Sequence, residues 1–395
     1  MDRVKFVDSD AHVVEPDSLW DNYLESRYKG RIKSHLAYER ATKPTDPWTI
    51  NVSVEVDDFP PQPMRRAQNE KEDTEPEPLR EAVGAEVFTM GVEEYYGRWQ
   101  ERGFDAETYR QVMDLSGIDR MILYPTVGLW STSSPDMEPE FAAAVRRAYN
   151  TWLGDFTRDI GGRAYGAASI DLRDPEAAAQ EVRRCVTEYG FKSVHLNPSP
   201  VPGRRVYDPE CDQVWAACAE LNVPVGVHPS ASNGLDMGMI PYYLPDLRNV
   251  QGTVAFSIGS MLCCSAFIMG GVLERHPGLR VAFLEAGAGW ASYWPERMMS
   301  GINGGNRGLK INGLTKSPQD YFAEQCFIAA DQDDPGIPLV AQTVGEQVLL
   351  TATDFGHPEG YRYQTASRDF MNVPGVTDET KKRILWDNGV RAYGF

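Results

Sequence analysis

A chain of 395 residues, 42% hydrophobic and 24% charged, carries ample material for a folded core and is not a disordered polymer. Its 57 acidic against 39 basic side chains give a formal net charge of -18, which argues against nucleic acid or an anionic membrane as a partner, although local arginines or a metal can still capture a small anion. No apolar run reads as long enough to span a bilayer and Met1-Asp2-Arg3-Val4 lacks the core of a secretory signal, so the expected location is the cytoplasm.

The first element runs Val4-Lys5-Phe6-Val7-Asp8-Ser9-Asp10-Ala11-His12-Val13-Val14-Glu15-Pro16, an apolar β-branched run that ends in acids, a histidine and a proline. This is the pattern of a buried strand delivering polar groups at its far end. Asp10 and His12, two apart, leave the same face of an extended chain, so a carboxylate and an imidazole converge there. Residues 17–90 follow with seven prolines from Pro44 to Pro78, a charged run Asn69 to Glu75 and little periodicity. Trp20, Tyr23, Trp48, Phe59 and Met64 within it favour an ordered lid or subunit contact over a tail.

From Gly91 to Ser116 the pattern is helical, in two short helices around Gly103, and Ile118 to Pro125 is a strand. Thereafter strands at Ala164–Ile170, Phe191–Asn197, Val223–His228, Leu279–Ala286, Gln325–Ala330 and Gln347–Phe355 alternate with helices at Phe141–Arg158, Pro175–Tyr189, Asp208–Leu221, Ser260–Arg275, Trp290–Ile302 and Pro338–Val344. A last helix is expected over Asp378–Asn388. Eight strands separated by helices fit one α/β domain over residues 1–395, a (β/α)8 TIM barrel with a long insertion at 17–90. The rival open doubly wound sheet is weakened because no GxGxxG follows any strand. Cys185, Cys211, Cys218, Cys263, Cys264 and Cys326 form no CxxC pair and read as buried reduced thiols.

A barrel brings the carboxyl ends of its strands to one mouth. Strand one ends in Asp10 and His12, strand four in His195 and Asn197, strand five in His228, strand six in Glu285, and strand eight in Asp354 with His357 beyond. Four of the six histidines fall at such ends. Imidazoles and carboxylates from separate strands suit zinc, manganese or iron and leave coordination positions open. Each residue also has a plainer use: His195 as a hydrogen-bonded structural group, Glu285 as a helix cap before Gly287, His357 as a loop brace. Trp130, Tyr242, Trp290 and the rest of the aromatic loops after strands two, five and six suit a flat or cyclic organic substrate, or else ordinary packing.

Six pieces carry a family resemblance: Asp10-Ala11-His12-Val13-Val14-Glu15-Pro16, Gly190 to Pro198, Pro224-Val225-Gly226-Val227-His228-Pro229, Leu284 to Trp290, Thr353-Asp354-Phe355-Gly356-His357-Pro358 and Ile384-Leu385-Trp386-Asp387-Asn388. In that order the chain resembles the amidohydrolase superfamily, and within it amidohydrolase family 2, which contains the aromatic acid decarboxylases of the γ-resorcylate, 5-carboxyvanillate and aminocarboxymuconate semialdehyde types. The resemblance implies one divalent metal ion, zinc or manganese, on Asp10, His12, His228 and Asp354. It also implies proton transfer by Asp354. The strand ends and loops themselves suggest Glu285 and His195 as further catalytic groups and Trp130, Trp290, Tyr242 and His357 at the substrate. The chain departs where Asp10-x-His12 replaces His-x-His or Glu-x-His, and where Glu285 replaces a strand-six histidine. Lys192, a possible carbamate bridge between two metals, lies early in its strand, which favours one metal.

Two chemistries share these ligands: hydrolysis of a cyclic amide, lactone or related bond by metal-activated water, and non-oxidative decarboxylation of an aromatic or enol-type acid. The resemblance favours the decarboxylase; an inactive relative with a binding role would show gaps in the ligand set. A homodimer or homotetramer is expected.

Overall fold

The computed structural model describes residues 4–39, 49–56, 62–63, 96–131, 137–198, 203–230, 248–302, 306–311 and 313–395. Eight strands form one sheet in chain order: Val7–His12, Arg120–Tyr124, Ala164–Ser169, Ser193–Leu196, Val225–Val227, Val281–Phe283, Cys326–Ala330 and Leu349–Thr351. Neighbouring strands of this sheet pair in parallel. The last strand returns to the first, since Asp354 N–H donates to Asp10 O (2.9 Å) and His12 N–H donates to Phe355 O (2.7 Å). The expected (β/α)8 barrel is therefore the fold, and its closing seam carries three of the expected metal ligands, Asp10, His12 and Asp354.

The strands alternate between two apolar environments, as a barrel wall must. Inward faces give a small interior core with Ile122, Ala167, Ala282, Leu284, Phe327, Ala329, Leu350 and Ala352, while outward residues such as Leu123, Ala168, Val194, Phe283 and Ile328 join the large core under the helices. Helix Pro139–Ile160 stops at left-handed Gly161, and Pro175–Tyr189 runs from an Asp174 cap on Ala177 N–H to left-handed Gly190. These are ordinary start and stop signals, which explains why the helices were legible.

Two expectations need correction. Within the insertion, Ile32–Glu39 and Thr49–Val56 pair antiparallel, with Gln62–Pro63 on the far edge, so strands exist where the proline-rich sequence showed little periodicity. Much of 17–90, including Trp48, Phe59 and Met64, lies outside the described residues. The second concerns length: Gly252–Met269, in helix Arg248–Met269 after strand five, is 18 residues with mean hydropathy 1.7, long and apolar enough to cross a membrane by length and composition. Its interspersed glycines and serines hid that continuity. In the fold its Cys263, Cys264, Phe267 and Ile268 pack into the outer core.

Candidate metal centre

Strand one places Asp10 and His12 on one face by its two-residue period, after an irregularity in pairing between Asp8 and Ala11, and the hydrogen bonds of the seam bring Asp354 against them. Asp10 Oδ1 lies 3.6 Å from His12 Nε2, and His12 Nε2 lies 3.2 Å from Asp354 Oδ1. From strand five, His228 Nε2 approaches Asp10 Oδ2 to 3.6 Å and Glu285 Oε2 to 3.4 Å. Four far-separated segments thus meet. Donor atoms of Asp10, His12 and His228 lie within 4.8 Å of one another, as do those of His12, Asp354 and His357.

These atoms suit a cation and little else. Asp10 Oδ1, His12 Nε2, His228 Nε2 and Asp354 Oδ1 are buried without hydrogen-bond partners, a costly state that coordination would relieve. The opposite nitrogens are held: His12 Nδ1 bonds Pro125 O (2.8 Å) and His228 Nδ1 bonds Pro229 O (2.7 Å), which puts the proton on Nδ1 and frees Nε2. Electrostatics agree. Burial, then the charges of Asp354 and Asp8, push Asp10 well above the usual carboxylate range, and burial with Asp331 does the same to Asp354. Burial and the neighbouring imidazoles push His12 and His228 down. A divalent ion reverses that logic by favouring the carboxylates and neutral rings.

Backbone shape aims two of the acids. Glu285 (φ +46°) and Asp354 (φ +53°) both adopt the left-handed conformation, which costs a non-glycine residue of order 1–3 kcal/mol and persists where surroundings impose it. Gly226 serves the same end by absence: a Cβ there would collide with Tyr124, whose ring stacks on His228 at 5.7 Å.

Of the other expected residues, His195 lies on the interior face, 2% exposed, its ring 6.2 Å from that of His228 and neither nitrogen hydrogen-bonded. Burial pushes it down to about 3. His357 stacks on His12 at 3.6 Å, with Nδ1 3.0 Å from Asp354 Oδ1 and Nε2 3.2 Å from Thr126 Oγ1. Trp290 has its ring contacts with Phe283 and Phe322, in the layer between strand six and helix Pro318–Gln325. Trp130 lies on helix Gly128–Ser131 with its side chain outside the described residues, and Tyr242 lies outside them altogether. Lys192 Nζ donates to Gly394 O at the opposite end of the barrel, far from any bridging position.

Sequence reading passed over three contributors. Asp331 follows strand seven directly, and its charge bears on Asp10 and Asp354. Its signal was the first acid after Cys326–Ala330. Asp8 ties the seam from below by accepting from Thr353 N–H (2.9 Å) and Oγ1 (2.5 Å). Thr126 had no signal in its residue type.

The amidohydrolase family model matches residues 7–395. A γ-resorcylate decarboxylase of Rhodococcus jostii (strain RHA1) is 30% identical over 302 residues, 70% of this chain and 84% of that protein. Among solved structures, an amidohydrolase from Mycobacterium avium subsp. paratuberculosis K-10 aligns over 99% of both chains with a TM-score of 0.69 at 21% identity. A 5-carboxyvanillate decarboxylase from Novosphingobium aromaticivorans DSM 12444, solved with manganese and 4-hydroxy-3-methoxy-5-nitrobenzoic acid, aligns over 79% of this chain and 86% of its own with a TM-score of 0.61 at 22% identity. At those identities the structural likeness concerns the fold.

Proposed function

Because the chain belongs to the amidohydrolase family, we propose that it is a metal-dependent non-oxidative decarboxylase of an aromatic or enol-type carboxylic acid. The observation that carries this reading is the convergence of four buried ligand atoms that make no hydrogen bond, from Asp10, His12, His228 and Asp354, in a chain whose curated relatives include γ-resorcylate decarboxylases. A divalent ion held by those residues, manganese or zinc, would supply a Lewis acid that grips the substrate carboxylate and a neighbouring oxygen.

The chain's own groups account for the rest. Asp354 or Glu285, each held toward the cluster by its left-handed backbone, delivers a proton to the ring carbon that bears the carboxylate. That C–H bond forms as the carbon–carbon bond breaks, CO2 leaves, and the ring regains its electrons. One proton is consumed per turnover and returns to the carboxylate from water. His195, kept neutral by burial, belongs with the catalytic groups as a hydrogen-bonding ring. Trp130 and Tyr242 are assigned as apolar walls for a flat substrate, and His357 braces Asp354. We place the enzyme in the cytoplasm as a homodimer or homotetramer, which sedimentation of the purified protein checks.

The test is a screen of hydroxybenzoate-type acids for CO2 release by the manganese-loaded protein, beside its Asp354→Asn variant. Release by the wild type and none by the variant is expected. Cleavage of a lactone or amide with no CO2 from any acid would reverse the reading in favour of hydrolysis.

A further inference from the structure

Glu15 closes the motif that opens at Asp10, yet its carboxylate turns away from the cluster. It is 3% exposed and lies against the loop after strand two. There three successive backbone amides donate to it: Thr126 N–H (3.0 Å) and Gly128 N–H (2.9 Å) to Oε1, and Val127 N–H (2.9 Å) to Oε2. Consecutive amides turned on one carboxylate make a small anion nest. The loop has no slack around it, since a Cβ on Gly128 would press on Pro125 and on Glu15 Oε1.

The same loop touches two imidazoles of the centre. Pro125 O accepts from His12 Nδ1 (2.8 Å), and Thr126 Oγ1 shares a hydrogen bond with His357 Nε2 (3.2 Å). Each contact holds the nitrogen that faces away from the cluster, so each sets what the other nitrogen meets: the carboxylates of Asp10 and Asp354 for His12 Nε2, and Asp354 Oδ1 at 3.0 Å for His357 Nδ1. The two rings stack at 3.6 Å and 18°, so a shift of one displaces the other.

We propose that Glu15 is the positioning residue of the metal centre: by clamping residues 126–128 it fixes the rings of His12 and His357 and thereby the affinity for the ion. This rests on the reading of Asp10, His12, His228 and Asp354 as a metal site. The competing account makes Glu15 an ordinary brace between strand one and loop two, whose loss lowers stability and leaves affinity alone.

The experiment strips the full-length protein with a chelator and titrates it with Mn2+, following the free ion by electron paramagnetic resonance, with a thermal midpoint for each variant. Glu15→Gln turns an amide NH2 toward backbone N–H donors and is expected to weaken Mn2+ binding about 10–100-fold, the usual cost of losing a contact behind a ligand. Thr126→Val, which severs only the His357 branch, is expected near the lower end of that range, about tenfold. Thr126→Ser keeps the hydroxyl and should bind as the wild type does. A Glu15→Gln protein that melts lower yet binds Mn2+ as tightly as the wild type overturns the proposal. Should that variant fail to fold, the Thr126 pair decides, and equal affinity in Val and Ser variants overturns it. A wild type that binds no Mn2+ instead overturns the metal reading beneath it.

Discussion

Two clusters of buried charge sit at the same end of the barrel and differ in one respect. After strand three, Asp171 takes Arg146 Nη1 at 2.7 Å and Arg173 Nη2 at 2.7 Å, all deeply buried. The leftover arginine hydrogens go to Ile170 O, Ala142 O and Met137 O. Across the mouth, Asp10, His12, His228 and Asp354 are as deeply buried, but each keeps a polar atom with no hydrogen-bond partner. A buried ionic cluster that satisfies itself holds a fold together weakly and specifically. One that leaves its donors open has its partner still to come. Burial alone therefore does not mark a functional site; several ionisable side chains converging on one point with open ligand atoms do.

Removing one ligand should separate the two clusters most sharply. His228→Ala or Asp354→Asn is expected to cut turnover by at least about 10^3-fold, beyond the 10–100-fold that contacts behind a ligand carry, with the far-ultraviolet circular dichroism unchanged. Full activity in a metal-stripped His228→Ala protein would sink the assignment. Arg146→Met makes the complementary cut. It should cost about 3–5 kcal/mol of stability in urea unfolding, as breaking a buried pair does, and leave Mn2+ affinity as it was. If it altered affinity and spared stability, the roles assigned to the two clusters would be exchanged.

Withdrawing the ion should touch only the open cluster. Free Mn2+ at one hundred times its dissociation constant is expected to stabilise the protein by about 2.7 kcal/mol, and chelation to remove that increment. In Asp354→Asn the increment should vanish, while in Arg146→Met it should persist on a lower baseline. An equal increment in all three proteins would place the ion elsewhere.

How much of this was legible follows from the physics of each signal. His228 and Asp354 stood out because apolar strands end in them abruptly, and a barrel fixes which face such residues share. Asp10 and His12 followed from the two-residue period. Trp290 shows the limit: an aromatic just past a strand end can join the mouth or the layer behind the wall, and only the course of the following loop decides. The role of Glu15 was hidden because its partners are three main-chain amides, which any residue supplies. The strand pair Ile32–Glu39 and Thr49–Val56 was obscured by the prolines between and after its strands.

The smallest expected effect, and the one that tests the comparison by sign, is on pH. Burial alone would raise Asp171, but Arg146 and Arg173 outweigh it and hold its carboxyl below the ordinary value of 3.8. The unfolded chain then binds the proton more readily than the native one, so this contribution to stability is present above about pH 4 and is lost as pH falls through the depressed native value. Asp8, beneath the open cluster, runs the other way. Burial raises it from 3.8 to about 7 despite its bonds to Thr353, so its contribution is full below pH 3.8 and is lost as pH rises through 7. Urea unfolding of metal-free protein from pH 3 to 8 should therefore show an acid-side slope that flattens in Asp171→Asn and a neutral-side slope of opposite sign that flattens in Asp8→Asn. Should Asp171→Asn flatten the neutral side instead, the self-satisfied cluster would not be the ion-paired network its distances describe.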